Sequence, residues 1–294
     1  MAMKIFEILV IYLGAYILLL AILKLWEKGK GLITKKLISA GRQDFENKRY
    51  SKQIKKYNWL IRLNPIPSNY SIRAHAFSNL EQYDNAIKDI SKAIDINPYY
   101  ADFYRSRAYY YSKLEKDDLA IKDYNKAIEL IFNPEDYYQL FLFRAQSLED
   151  SKEYQLAIND YNIVIKNLPQ EIEAYTGKGL CLFYLEKYDD ALSCYEKAVE
   201  LDNNCFWAFY NRGELFYHLN KVNEALQDLN KALEIRPTTE NSSLFLWLGV
   251  LYAVDGKDNE TAMRFLQKAK ELGHKDAQEC IDELNDKGKI VMEW

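Results

Sequence analysis

Charged side chains recur along this chain at matched places. Arginine stands at 73, 107, 144 and 212, and aspartate stands sixteen residues after each, at 89, 123, 160 and 228. An arginine fork and a carboxylate make a charge-assisted, multidentate pair. Arg73 with Asp89, Arg107 with Asp123, Arg144 with Asp160 and Arg212 with Asp228 are therefore read as structural ion pairs, each bridging two helices. At the equivalent places the last unit has Leu248 with Phe265, so charge disappears from both helices together. Lys178 with Cys194 is a half-exception. A partly buried pair adds little net stability, which leaves register as its role. The competing reading is that both columns are solvated.

No other constellation carries chemistry. Cys181, Cys194, Cys205 and Cys280 show no C-x2-C spacing, and His75, His218 and His274 form no metal-binding pair. Phosphate-cradling glycine loops and a nucleophile elbow are missing from the sequence. Asp and Glu recur at periodic positions, so a catalytic carboxylate pair cannot be told from scaffold. No catalytic residue, metal ligand or cofactor is assigned, and an enzyme is not expected.

The elements that would hold those arginines are periodic. Ala86, Ala120, Ala157, Ala191, Ala225 and Ala262 lie 34, 37, 34, 34 and 37 residues apart. Sixteen residues before most of them stands an aromatic: Tyr70, Tyr104, Phe141, Tyr175, Phe209. Four residues after each aromatic comes a small residue: Ala74, Ala108, Ala145, Gly179, Gly213 and, one out of step, Gly249. A large residue follows each alanine by four, from Ile90 to Leu266, and a proline closes several units. Spacings of three and four place these residues on one face of a helix. Small residues facing each other let two helices approach closely, with aromatics filling the space around them. A period near 34 residues predicts a stack of helical hairpins in an all-α chain.

The pattern resembles the tetratricopeptide repeat over about residues 34–275. Six units fit well. An earlier one keeps Leu37, Gly41, Tyr50, Tyr57 and Pro65 but has Gln53 and Leu60 in place of alanines. The segment beginning at Ala262 also resembles a Sel1-type repeat, which implies a further helix at about 276–286. The resemblance implies a right-handed α-α superhelical solenoid of about seven hairpins, a C-terminal capping helix and a concave groove lined by the first helices. Groove positions then include Gln146 and Glu149 in the fourth unit, Glu173, Leu180, Phe183 and Tyr184 in the fifth, and Trp207, Tyr210, Asn211, Glu214 and Tyr217 in the sixth. The seventh offers Leu246, Trp247, Val250 and Val254. The N-terminal half of the groove reads as polar and the C-terminal half as aromatic and apolar. Exposed clusters of that kind mark binding sites, and Trp and Tyr dominate interface energies. The expected partner-binding residues are Leu180, Phe183, Tyr184, Trp207, Tyr210, Asn211, Tyr217 and Trp247, holding a protein or peptide. The alternative is that tight winding or the C-terminal tail covers them. Asn211-Arg212-Gly213 resembles part of the carboxylate clamp of chaperone-binding members. Thr176 and Leu180 stand where that clamp needs Lys and Asn, so chaperone tails are not the expected ligand.

The N-terminus differs in kind. From Ile5 to Leu23 only Glu7 is charged. At about 1.5 Å per residue this helix would reach roughly 28 Å, a bilayer core. No cleavage site follows it and Val10–Leu23 has no polar face, so a membrane anchor fits better than a signal peptide or a buried helix. Residues 24–56 carry 11 basic and 3 acidic residues, against a whole-chain net charge of −4. The positive-inside tendency puts the N-terminus outside and the repeats in the cytoplasm, with residues 24–56 near anionic lipid. An acidic remainder argues against nucleic acid as a partner. The expected organisation is an anchor over 1–26, a basic linker over 27–36, the repeats with their capping helix over 37–286 and an apolar tail over 287–294. A membrane-anchored scaffold or adaptor is the expected function; the alternatives are a peptide-sensing regulator and a structural subunit of a membrane assembly.

Overall fold

The computed structural model describes residues 19–20, 23–25, 27–131, 137–237, 240–254 and 258–290. Among these the chain is all helical, with fifteen helices and one isolated bridge between Val254 and Ile290. Two compact units divide it, Met1–Phe132 and Asn133–Trp294. In the first, α1 (Ala2–Glu46) pairs with α2 (Tyr50–Leu63), α3 (Pro67–Ser78) with α4 (Tyr83–Ile96), and α5 (Ala101–Ser112) with α6 (Asp117–Leu130). In the second, α7 (Pro134–Asp150) pairs with α8 (Tyr154–Asn167) and α9 (Ile172–Tyr184) with α10 (Tyr188–Leu201). There follow α11 (Phe206–His218) with α12 (Val222–Ile235), and α13 (Ser242–Ala253) with α14 (Asn259–Glu271). A last helix, α15 (Ala277–Lys287), packs on α14 and α13.

Each hairpin closes on its smallest residues. Ala86, Ala120, Ala157, Ala191, Ala225 and Ala262 have no exposed surface. Ile90, Tyr124, Tyr161, Tyr195, Leu229 and Leu266 are buried one turn further on, against the small residue of the first helix. A Cβ added to Gly179 would stand 2.5 Å from the Tyr195 ring, so a bare backbone is needed where a fully buried ring presses on the helix. Burying Leu229 contributes about 2 kcal/mol.

The turns repeat as faithfully as the core. Lys48, Glu81, Glu115, Lys152, Glu186 and Asn220 all have φ between 54° and 62°. In each case the following N–H reaches back to the helix, as Gln82 N donates to Phe77 O at 2.9 Å and Lys187 N to Leu182 O at 2.9 Å. This left-handed closure satisfies carbonyls that the helix end leaves open.

The arginine and aspartate columns meet inside each hairpin. Arg73 Nε donates to Asp89 Oδ2 at 2.6 Å and Nη2 to Oδ1 at 2.5 Å. The same two-pronged contact joins Arg107 to Asp123, Arg144 to Asp160 and Arg212 to Asp228, at 2.6–2.9 Å. The four aspartates are buried. Each guanidinium also lies over the aromatic one turn earlier, Arg144 over Phe141 at 5.0 Å and Arg212 over Phe209 at 5.5 Å. Arg73 and Arg107 further donate to Asn58 and Ser91 of the preceding hairpin, at 2.7 and 3.0 Å. They thus hold neighbouring hairpins in register as well as their own two helices.

Residues 27–36, expected as a basic linker, are helical. They contain no proline and lie within α1, so backbone hydrogen bonding runs through them into the first hairpin. Gly29 and Gly31 have open space around their Cα positions. In the first hairpin Gln53, Tyr57 and Leu60 are buried, and Gly41 admits the Tyr57 ring 2.8 Å from where its Cβ would be. Lys56 and Arg49 both pair with the buried Asp44, which holds its carboxyl below the usual range, the Lys56 hydrogen bond first among the causes. The anchor expected over 5–23 falls mainly outside the described residues, as do 291–294 of the tail. Among the described residues no helix is long and apolar enough to cross a membrane.

Candidate partner-binding groove

In the second unit the first helices touch in succession, α7 with α9, α9 with α11 and α11 with α13. Those helices form one continuous face. A cavity of about 580 Å³ opens on it. Leu180 and Tyr184 line it from α9, with Glu173, Thr176 and Gly177. From α11 come Trp207, Tyr210, Asn211 and Glu214, and from α7 come Gln146 and Glu149. Tyr161 of α8 and Ser243 of α13 complete the wall.

Helical spacing explains which aromatics are offered and which are spent on packing. Phe206 and Tyr210, four apart, are buried and stack with rings 5.9 Å apart. Trp207 is rotated off that face and stays half-exposed, its edge toward Tyr210 at 5.9 Å. Arg236, at the end of α12, lies over Phe206 at 4.7 Å and Trp207 at 5.8 Å, and so steadies the indole. Tyr184 is half-exposed and stacks on Tyr154 at 5.0 Å.

Beneath these rings sits an acidic base. The absence of a side chain at Gly177 admits Tyr161, whose hydroxyl donates to Glu149 Oε2 at 2.8 Å. The Cys181 thiol approaches the same oxygen at 3.8 Å. Burial pushes the Glu149 carboxyl up to about 7, although the Tyr161 hydrogen bond acts the other way. Burial alone pushes Glu214 up to about 7. The Cys181 thiol is pushed up by burial and by Glu149 beside it, which makes it unreactive. Among the described residues no group of three or more His, Cys, Asp or Glu is placed to hold a metal ion.

Five of the eight residues expected to bind a partner line this cavity: Leu180, Tyr184, Trp207, Tyr210 and Asn211. Phe183, Tyr217 and Trp247 do not. Phe183 packs 5.0 Å from His218 and 5.9 Å from Tyr188. Tyr217 and Trp247 lie 4.6 Å apart and lean on the cluster that α15 builds with α13 and α14. Leu246 and Val250, also expected on the groove, are buried in that cluster with Ile281, Leu284 and Ile290. Ile290 N donates to Ala253 O at 3.3 Å, so the chain beyond α15 returns onto the end of α13. Composition missed Glu149 and Glu214 as a pair. They stood at groove positions, but in a chain rich in periodic Asp and Glu nothing marked them as buried. The first unit has its own cavity of about 480 Å³, lined by Phe45, Gln53, Tyr57, Ile72 and His75 among others.

Models of the tetratricopeptide repeat match residues 67–100 and 101–134, and again 172–205 and 206–239. Over 63 residues the chain is 41% identical to the small glutamine-rich tetratricopeptide repeat-containing protein 2 of Saccharomyces cerevisiae, and it spans 18% of that protein's length. A tetratricopeptide repeat protein from Parabacteroides merdae superimposes with a TM-score of 0.69 at 17% identity, over 85% of this chain and 98% of that one. PilF of Pseudomonas aeruginosa gives 0.62 at 18% identity, over 75% and 97%. YrrB, described as a tetratricopeptide repeat protein with an unusual peptide-binding site, gives 0.51 at 23% identity, over 62% and 93%. At these identities the likeness is one of fold. Hairpin geometry, buried small residues and matched segments agree: the chain carries tetratricopeptide repeats in both of its units.

Proposed function

We propose that this chain is a membrane-anchored scaffold or adaptor that holds a segment of a partner protein on the first-helix face of its second unit. One observation carries the reading: a cavity open on that face presents half-exposed Trp207 and Tyr184 beside Asn211. Exposed indole and phenol rings around a concavity supply most of the energy in protein interfaces. The fold is one that binds proteins or peptides, which favours a binding role over catalysis.

Anchoring rests on sequence. Residues 5–23 are uncharged but for Glu7, and α1 continues from them with Leu25, Leu32 and Ile33 exposed among the basic residues of 24–56. In this reading the N-terminus lies outside and the repeats face the cytoplasm. The closing segment from Ala262 is a Sel1-like end to the stack.

The test is to tag the protein in its own membranes, crosslink, and compare co-purifying proteins with those of Trp207→Ala. Partners lost in the variant support the groove. An unchanged set moves the function elsewhere on the molecule. Clipping of the repeats by protease added to intact cells refutes the topology.

A further inference from the structure

The cavity of the second unit has a chemical bias beyond its aromatic character. Glu149, Glu173 and Glu214 line it, from three successive first helices, and no Lys, Arg or His does. Glu214 is partly buried, and no hydrogen bond or ion pair reaches its carboxylate among the described residues. Both donors to Glu149 reach Oε2, which leaves Oε1 without one. A partly desolvated carboxylate without a counter-charge is destabilised, and a cation brought by a ligand relieves it. Above the acids stand Trp207 and Tyr210, whose ring faces attract cations.

A second, independent feature points to a ligand. Asn211 is only 7% exposed, lines the cavity, and its side chain has no hydrogen-bond partner among the described residues. Its donor and acceptor suit the backbone of an extended segment lying across α11.

We propose that this cavity receives the cationic side chain of a lysine or arginine from the bound partner segment, its charge set between Glu149 and Glu214 and its stem against Trp207 and Tyr210, with Asn211 bonding the segment's backbone. Charge complementarity selects this occupant: three glutamates and no cation line the cavity, and a partner's acid would meet only further carboxyl groups. Burial raises both carboxyls to about 7, so a bound cation also draws protons off them at neutral pH. The proposal rests on the groove reading above and deepens it.

The experiment uses the full chain in lipid nanodiscs and a displayed library of random dodecapeptides. Selected peptides are resynthesised with each lysine replaced by norleucine or each arginine by citrulline, which keep the stem and remove the charge. Binding is expected to weaken about tenfold or more on that replacement, and likewise for Glu214→Gln and Glu149→Gln. Unchanged melting of the two variants at about pH 6, where the acids are largely protonated, shows that they fold. Trp207→Ala should weaken every peptide. If peptides bind and need Trp207 but tolerate norleucine or citrulline, the cation site is wrong and the groove stands. If none is enriched over the Trp207→Ala background, both readings fall. If spermine binds and no peptide does, the site takes small amines and the peptide assignment is overturned.

Discussion

Glu214→Gln should make the ligand-free protein more stable at alkaline pH. Burial raises the folded-state carboxyl from an ordinary 4.5 to about 7. The folded state therefore holds this proton more tightly than the unfolded state. Its stabilising contribution is complete below about pH 4.5 and lost as pH rises through about 7. The whole difference is roughly 3 kcal/mol, and about 2 kcal/mol of it falls between about pH 5.5 and about pH 8.5. Glutamine keeps the size and polarity of the side chain and cannot ionise. Urea unfolding of the full chain, followed by tryptophan emission in a background with Trp26, Trp59 and Trp294 each replaced by Phe, would report on Trp207 and Trp247 of the second unit. The variant should lose less stability than the parent between the two pH values, by about 2 kcal/mol. Equal slopes in the two proteins would mean that Glu214 ionises freely in the folded state. That result would remove the desolvated carboxylate from the account of the cavity.

Three further outcomes test the packing. Asp123→Ala leaves the Arg107 fork without its carboxylate and should cost about 3 kcal/mol, whereas Arg107→Leu with Asp123→Phe, the pair found as Leu248 and Phe265 in the last hairpin, should cost much less in the same denaturation assay. Gly177→Ala places a methyl group on the Tyr161 ring and hydroxyl and should destabilise by about 1–3 kcal/mol. Adding Tyr161→Phe should cost less than the separate effects sum to, and strict additivity would show that the two do not touch. Tyr195→Phe removes a buried hydroxyl with no partner and should raise the melting temperature, by about 1 kcal/mol of stability; a loss would reveal a hydrogen bond to that oxygen.

By itself, the sequence determined every feature whose cause is local. A hairpin joins residues about sixteen apart, so Gly179 with Tyr195 and Arg107 with Asp123 can be read from period and residue type alone. Only tertiary structure decided depth. A period says that Glu149, Glu214, Trp207 and Trp247 share one face; it does not say how far three neighbouring helices close over each of them. Trp207 remains half-exposed, with Arg236 at the end of α12 over its ring. Trp247 is partly covered, and Leu246 and Val250 fully, because α15 and Ile290 return onto α13. Glu149 and Glu214 look like any surface acid in the sequence and become desolvated only when α7, α9 and α11 pack around them. Burial is a property of neighbours brought from elsewhere in the chain, and no single repeat contains it.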